Sequence, residues 1–140
     1  MTVVTEATIE FPIEKVWALV GDFAGLLRWH PNLGVCDVRE VNGATERRVQ
    51  FKNDGRWVVE RLVRRDPDAY YFEYVMADAQ DPSVIGLAAD ITLTATEDGQ
   101  THLKWISAKG ADFSPQMRAD LDIYYAQRVE HLRDALRNDQ

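Results

Sequence analysis

Glu60 is the residue of this sequence best placed to do chemistry. Alternation along its segment puts Val58, Glu60 and Leu62 on the more apolar face of a predicted strand. A carboxylate inside an apolar cavity loses solvation, which favours its neutral form unless a cation or hydrogen-bond donors stabilise the anion. Such a group could act as a general acid or base, or it could anchor a ligand hydroxyl. The alternative is structural, with Glu60 paired to Arg47, expected two rungs away on the same face, or to water.

Aromatic residues could form the wall of a pocket around this carboxyl group, and plain core packing is the alternative. Tyrosine hydroxyls and indole N–H groups would give such a pocket a few directional contacts. For Trp17, core packing is favoured because Val16 and Val20 lie beside it at helical spacing. The pocket interpretation is favoured for the remaining set, which comprises Trp29, Phe72, Tyr74, Trp105 and Tyr125.

The histidines and the one cysteine form no recognisable metal-binding or nucleophilic motif. His30 lies between Trp29 and Pro31, where its imidazole could serve as a cavity acid or base, or satisfy carbonyl groups at a helix end. No two histidines have ligand spacing, which argues against a metal site. No histidine lies at a sequence spacing from Cys36 that would indicate a nucleophilic Cys–His pair. The sequence also lacks nucleophile-elbow, dinucleotide-binding and P-loop motifs. We therefore expect no metal and no other cofactor.

Charge and composition exclude several classes of partner. The 140 residues contain 23 acidic and 16 basic side chains, giving a net charge of −7, so nucleic-acid binding and attraction to anionic lipid are disfavoured. A lone cysteine suggests a reducing compartment, and neither a signal peptide nor a membrane-length apolar run is recognisable. The sequence predicts one soluble cytoplasmic domain over residues 1–140. A solvated helix face is predicted where Arg118, Arg128, Arg133 and Arg137 alternate with acids.

Turn signals and periodicity predict an α+β architecture. Residues 2–10 indicate a strand, Pro12 opens a short helix, and a second short helix follows Asp22 and stops at Pro31. About six short strands then run from Leu33 to Lys109, which with the first strand makes about seven. Ser114 and Pro115 begin a long amphipathic helix that continues to about Arg137. A curved antiparallel sheet with one apolar face needs a cover, and this helix can provide it.

Two hairpins set which strand faces point inward. A two-residue type I′ loop at Asp54-Gly55 would pair Phe51 with Val58, Val49 with Glu60 and Arg47 with Leu62. At Asp98-Gly99 a three-residue loop with a glycine bulge fits the pattern better. That loop places one apolar set on a single face: Ala89, Ile91, Leu93, Ala95, Leu103, Trp105 and Ser107.

The order of elements resembles the helix-grip fold of the START-like superfamily, also called SRPBCC. The opening helix pair is matched by Val16-Trp17, Gly21-Asp22-Phe23 and Trp29-His30-Pro31. The pattern Arg47, Gly55, Glu60-Arg61-Leu62, Asp66, Tyr74 and Trp105 is similar to that of the polyketide cyclase/dehydrase branch. The resemblance covers nearly the whole chain. Two segments depart from the family pattern, residues 42–45 and the loop 81–87.

The resemblance implies a hydrophobic cavity between the sheet and the C-terminal helix, which relatives use to bind lipids, hormones or polyketides. We therefore expect this chain to bind a small hydrophobic or aromatic ligand above a polar floor of Arg47 and Glu60. The expected ligand-binding residues are Trp29, Arg47, Val49, Phe51, Val58, Glu60, Leu62, Phe72, Tyr74, Met76, Leu87, Ala89, Ile91, Trp105, Leu121 and Tyr125.

Two other functions remain open from the sequence. The chain could be a polyketide cyclase/aromatase-like or lyase-like enzyme in which Glu60, with Tyr74, moves protons on a bound carbonyl compound. It could also be an interaction module that forms a homodimer through its outer sheet face. The apolar residues expected on that face are Trp57, Val59, Val63, Tyr71 and Val75.

Overall fold

A seven-stranded antiparallel sheet and a long C-terminal helix make up the computed structural model, which describes residues 2–138. Residues 1, 139 and 140, the ends of the predicted domain, lie outside the described residues. The strands lie in the order β1-β7-β6-β5-β4-β3-β2. Their bounds are β1 Val3–Ile9, β2 Leu33–Val41, β3 Ala44–Phe51, β4 Trp57–Asp66, β5 Tyr71–Ala79, β6 Ala88–Ala95 and β7 Thr101–Lys109. The helices are α1 Ile13–Val20 and α2 Pro115–Asn138, with 3₁₀ turns at Leu26–Arg28, Pro67–Ala69 and Pro82–Val84. The predicted α+β architecture is confirmed.

Helix α1 follows the local signals of its sequence. Pro12 stands at its N-cap in an extended conformation, and Glu14 lies in the first turn, where the helix dipole favours an acid. The second predicted short helix, between Asp22 and Pro31, is present only as the 3₁₀ turn Leu26–Arg28. Gly25 and Pro31 leave few residues for a longer helix. The Asp22 carboxylate binds Arg28 at 3.3 Å, so it does not cap a helix.

The β3–β4 hairpin differs from its predicted register by two residues. Arg47 pairs with Glu60 and Val49 with Val58, so the predicted two-residue loop at Asp54-Gly55 is wrong. Residues 52–55 form a four-residue loop, closed by the Phe51 N–H donating to the Arg56 carbonyl at 2.8 Å. Of the two loop residues, only Gly55 has a positive φ, whereas a type I′ turn needs one at both. Because side chains alternate with a period of two, the shift leaves the predicted faces unchanged.

The β6–β7 hairpin has the predicted three-residue loop. The Thr96 N–H donates to the Gln100 carbonyl at 3.0 Å, and Gly99 takes a φ of +77°. Leu93 faces Leu103 and Ile91 faces Trp105, as the apolar pattern requires. One residue of the predicted inner set, Ala95, is exposed because it lies at the end of its strand.

Helix α2 packs closely over only part of its length. Arg128, Val129, Leu132 and Leu136 are buried, and the helix contacts β1 and α1. Residues 115–127 include no buried side chain. The two halves of α2 therefore differ. The C-terminal half completes the hydrophobic core, whereas the N-terminal half lies over the sheet without filling the space beneath it.

The outer face of the sheet does not present the apolar patch that the alternation predicted. Val59 is only 4% exposed. The Arg48 guanidinium covers the Trp57 ring at 5.2 Å, and Arg64 covers the Tyr71 ring at 5.4 Å. Ion pairs cross the same face, including Arg61 with Glu46 at 2.7 Å and Lys109 with Glu73 at 3.5 Å. Within that predicted set, Val63 alone is strongly exposed. Homodimer formation through this face stays a prediction.

Gly21 at the end of α1 provides a test of this packing. A Cβ there would lie 2.5 Å from the Trp17 ring, and the Arg65 guanidinium also packs on this ring at 5.1 Å. We expect Gly21→Ala to lower the free energy of unfolding by about 1–3 kcal/mol in urea denaturation. Gly34→Ala is the matched control, because its nearest neighbour is the flexible Lys52 side chain at 3.3 Å. Equal stability of the two variants would contradict this account.

Candidate functional site

A cavity of about 540 Å³ lies between the inner face of the sheet and the N-terminal half of α2. The inward side chains of β3 to β7 form its floor and walls, and Leu121 and Tyr125 of α2 form its roof. All the predicted ligand residues line it except Leu62. Leu62 packs against the hydrophobic core instead, toward the end of β4 where Arg65 donates to the Gly21 carbonyl at 2.9 Å.

The floor of the cavity carries an ion pair. Arg47 Nε donates to Glu60 Oε1 at 2.7 Å, and the two side chains belong to residues only 4% and 8% exposed. Arg47 also donates through Nη1 to the Phe23 carbonyl at 3.0 Å, and its guanidinium stacks on the Phe23 ring at 4.1 Å. Glu60 therefore faces the cavity, and it pairs with Arg47 as the structural alternative requires; its role toward a ligand stays a prediction. The two are direct cross-strand partners, closer than predicted.

Two phenols line the cavity together with this ion pair. Tyr74 Oη accepts a hydrogen bond from Trp105 Nε1 at 3.3 Å, and burial raises the pKa of Tyr74 well above its usual value. Tyr125 packs edge-on against Trp105 at 4.9 Å, and burial raises its pKa to about 12. Both hydroxyls are therefore protonated at neutral pH. Each can donate a hydrogen bond to an oxygen atom of a bound molecule.

His30 lies at one end of the cavity, among the rings of Trp29, Phe51 and His131 at 6.0 to 6.5 Å. Burial, followed by the positive charge of Arg128 and the proximity of His131 and Arg47, lowers the pKa of His30 to about 3. The imidazole is thus neutral at physiological pH. Its Nδ1 atom is buried without a hydrogen-bond partner in residues 2–138, so the predicted role in satisfying helix-end carbonyls finds no contact at this atom.

Arg128 is the residue of the cavity that the sequence analysis placed wrongly. We expected it on a solvated helix face with Arg118, Arg133 and Arg137, but it lines the cavity and is only 2% exposed. Leu121, Tyr125 and Arg128 are spaced so that they lie on one face of the helix, and this spacing could have predicted that Arg128 points toward the cavity. The alternation of basic and acidic residues along the helix favoured a solvated face instead.

Connecting segments close the remaining walls, and they could not be placed from sequence. Val84 of the loop 81–87, Phe113 of the segment before α2, and Met117 in its first turn line the cavity. Asp81 fixes the loop by accepting from the Ser83 N–H at 3.0 Å. The loop that departs from the family pattern is therefore part of the cavity wall.

Metal binding and membrane insertion gain no support from the described residues. Between residues 2 and 138, no group of three His, Cys, Asp or Glu side chains is arranged to hold a metal ion. Neither helix in this part of the chain combines the length and hydrophobicity that a membrane span requires.

Comparison with known proteins gives one family and many structures of the same fold. The family model described as polyketide cyclase / dehydrase and lipid transport matches residues 1–137. No curated protein matches the chain. An uncharacterized protein from Bacillus thuringiensis is 22% identical, with 97% of this chain and 98% of that chain covered and a TM-score of 0.79.

Two further structures extend this likeness. Ara h 8.0201 is 18% identical over 99% of this chain and 98% of its own, with a TM-score of 0.77. The Aha1 dimer from Colwellia psychrerythraea is 19% identical over 97% of this chain and 96% of its own, with a TM-score of 0.73. At these identities, the likeness shows the fold alone.

The ion pair on the floor predicts a specific pattern of stability. Glu60→Gln leaves the Arg47 guanidinium buried and unpaired, so we expect a loss of about 3–5 kcal/mol in the free energy of unfolding. The double variant Arg47→Met with Glu60→Leu removes both charges and should lose less than Glu60→Gln alone. Chemical denaturation of both variants measures the difference. A double variant less stable than the single one would contradict the proposed balance of desolvation and pairing.

His30 predicts a pH dependence with a definite sign. Its folded pKa of about 3 lies below the unfolded value of 6.5, so the unfolded chain binds this proton first as the pH falls. Stability from neutral His30 is complete above pH 6.5 and is lost toward pH 3, at about 1.4 kcal/mol per pH unit. We expect the unfolding free energy of His30→Gln to fall less steeply than that of the wild type between these values.

Denaturation at several pH values measures these slopes. His102→Gln is the control, because His102 is partly exposed on β7, where its ring contacts Glu6 at 3.2 Å. It should keep the steep dependence of the wild type. Identical slopes for the wild type and His30→Gln would contradict the assignment.

Proposed function

Since this chain belongs to the polyketide cyclase / dehydrase and lipid transport family, we propose that it binds a small hydrophobic or aromatic ligand in the cavity beneath α2. The observation that carries this proposal is the cavity itself. Its volume of about 540 Å³ falls in the range of small-molecule sites, which is roughly 300–1,000 Å³. A core packed solid by Trp105, Tyr74 and Phe72 would have left no such space.

The lining of the cavity supports an apolar ligand held by few polar groups. Aliphatic and aromatic side chains dominate the walls, so burial of an apolar ligand body would contribute about 25 cal/mol per Å² of surface removed from water. The Arg47–Glu60 pair lies on the floor with the Tyr74 ring 5.3 Å from the Arg47 guanidinium, and Tyr125 adds its hydroxyl from the roof. They would fix the orientation of the ligand more than they increase its affinity.

The same groups favour an enzyme as the second candidate function. Glu60 offers a carboxylate and Tyr74 a protonated phenol to one cavity, which is the pair of groups that proton transfer on a carbonyl compound needs. The two proposals differ in the fate of the bound molecule. A binding protein releases it unchanged, whereas a cyclase, aromatase or lyase releases a different compound. Native mass spectrometry of the purified protein can detect a copurifying small molecule. A change in the mass of that molecule during incubation with the protein would indicate an enzyme, and a constant mass would indicate a binding protein.

Filling the cavity tests the proposal directly. Ala89 lies on β6 with its side chain toward the cavity, and Ala95 lies exposed on the same strand. We expect Ala89→Phe to weaken binding of the neutral fluorescent probe N-phenyl-1-naphthylamine about tenfold or more, because the new ring occupies the site. Ala95→Phe, the matched control, should bind as the wild type does. Val49→Trp obstructs the same cavity from β3 and serves as a second variant.

Fluorescence titration measures these affinities, and circular dichroism establishes that each variant is folded. Wild-type protein that fails to bind the probe would contradict the proposal. A folded Ala89→Phe protein with wild-type affinity would contradict the location of the site.

A further inference from the structure

We propose that the ligand of this cavity carries a carboxylate group, which binds Arg128 at the His30 end of the cavity. This inference rests on the proposed function and adds the chemical class of the ligand. It is carried by a buried cation without a charged partner and by unpartnered polar atoms beside it.

Arg128 lacks a counter-ion in the described part of the chain. It is 2% exposed, yet its partners are all uncharged. With the Asn32 amide oriented so that its oxygen faces Arg128, that oxygen accepts from Nη1 and Nη2 at 3.2 Å. The Gln127 amide oxygen accepts from Nη2 at 3.4 Å, and the guanidinium stacks on the Tyr124 ring at 4.4 Å. No Asp or Glu of residues 2–138 forms a salt bridge with it.

The two carboxylates that line the cavity do not supply the negative charge that Arg128 lacks. Glu60 lines the cavity but is bound to Arg47, so that pair is neutral as a unit. Asp112 lines the cavity too, as an exposed residue, and forms no ion pair with Arg128. Burying a guanidinium without an anion is unfavourable, because no attraction to a partner charge offsets the free energy of its lost hydration. A bound anion would remove that penalty.

Within residues 2–138, three buried polar atoms of residues that line the cavity have no hydrogen-bond partner. They are Arg128 Nε, Trp29 Nε1 and His30 Nδ1. The guanidinium and indole nitrogens can only donate, so they require an acceptor. All three residues line the cavity. The His30 ring lies 6.0 Å from the Trp29 ring and 6.5 Å from the His131 ring. His131 follows Arg128 by about one turn of α2.

A carboxylate fits this set better than a neutral polar group. It accepts hydrogen bonds at two oxygens, carries the single negative charge that Arg128 lacks, and can bind a planar guanidinium through two parallel contacts. From there the rest of the ligand would extend along Trp105 and Tyr125, whose rings lie 4.9 Å apart. The inferred ligand class is a small organic acid with an aromatic or aliphatic body.

A matched pair of probes tests the inference. Naphthalene-2-carboxylate and naphthalene-2-carboxamide have nearly the same shape and differ in charge. We expect the wild type to bind the carboxylate about tenfold more tightly or better, by isothermal titration calorimetry at neutral pH. Arg128→Gln should abolish this preference by lowering the affinity for the carboxylate. Arg118→Gln, on an exposed position of the same helix, should keep the wild-type preference. Decanoate and decanol provide a second pair with an aliphatic body.

The outcomes separate this inference from the proposed function. If the wild type binds both members of each pair equally, or if Arg128→Gln keeps the preference for the acid, the inference is overturned and cavity binding stands. If no probe binds, whether charged or neutral, the proposed function fails and the inference fails with it. Arg128→Lys provides a second variant that retains the charge. It should keep part of the preference for the carboxylate over the carboxamide.

Discussion

Helix α2 packs into the core only through its C-terminal half, and the cavity depends on this constraint. In its C-terminal half, Val129, Leu132 and Leu136 are buried and the helix contacts the strand β1 and the helix α1, while residues 115–127 remain without buried side chains. A sheet whose inner face is apolar must be covered, but a cover that touches it at one end leaves space at the other. The cavity of about 540 Å³ is the result. The fold thus keeps its core and its cavity separate along a single helix.

Charge inside this space is arranged in two different ways. Arg47 and Glu60 face each other across β3 and β4 and neutralise one another at 2.7 Å. Arg128, on the opposite wall, is held by amide oxygens and an aromatic face. A paired cation is already neutralised in the empty protein, whereas an unpaired one favours a bound anion. Polar groups of a ligand would therefore meet a neutral floor and a positive end.

Sequence reasoning predicted the inward faces well, because alternation along a strand is insensitive to even errors of register. The β3–β4 loop was predicted two residues too short, yet Glu60, Val58 and Val49 still face the cavity. Helical residues were harder to place. Arg128 was grouped with its charged neighbours on α2, although its spacing from Leu121 and Tyr125 follows the inner face. A charged residue is so often solvated that its type outweighed its position. Leu62 was misplaced for another reason: whether an inward side chain meets a cavity or the core depends on which helix lies above it.

The sequence by itself determined the elements, their order and the side of the sheet on which each residue lies, because these follow from local signals such as Pro12, the glycine turns and the period of two along strands. Only the tertiary structure decided that the space beneath α2 stays open, that Glu60 meets Arg47 directly, and that Arg128 is buried without a counter-ion among residues 2–138. These properties depend on how far two distant elements approach each other. Such distances are set by the packing of the whole chain, and no local pattern of residues encodes them.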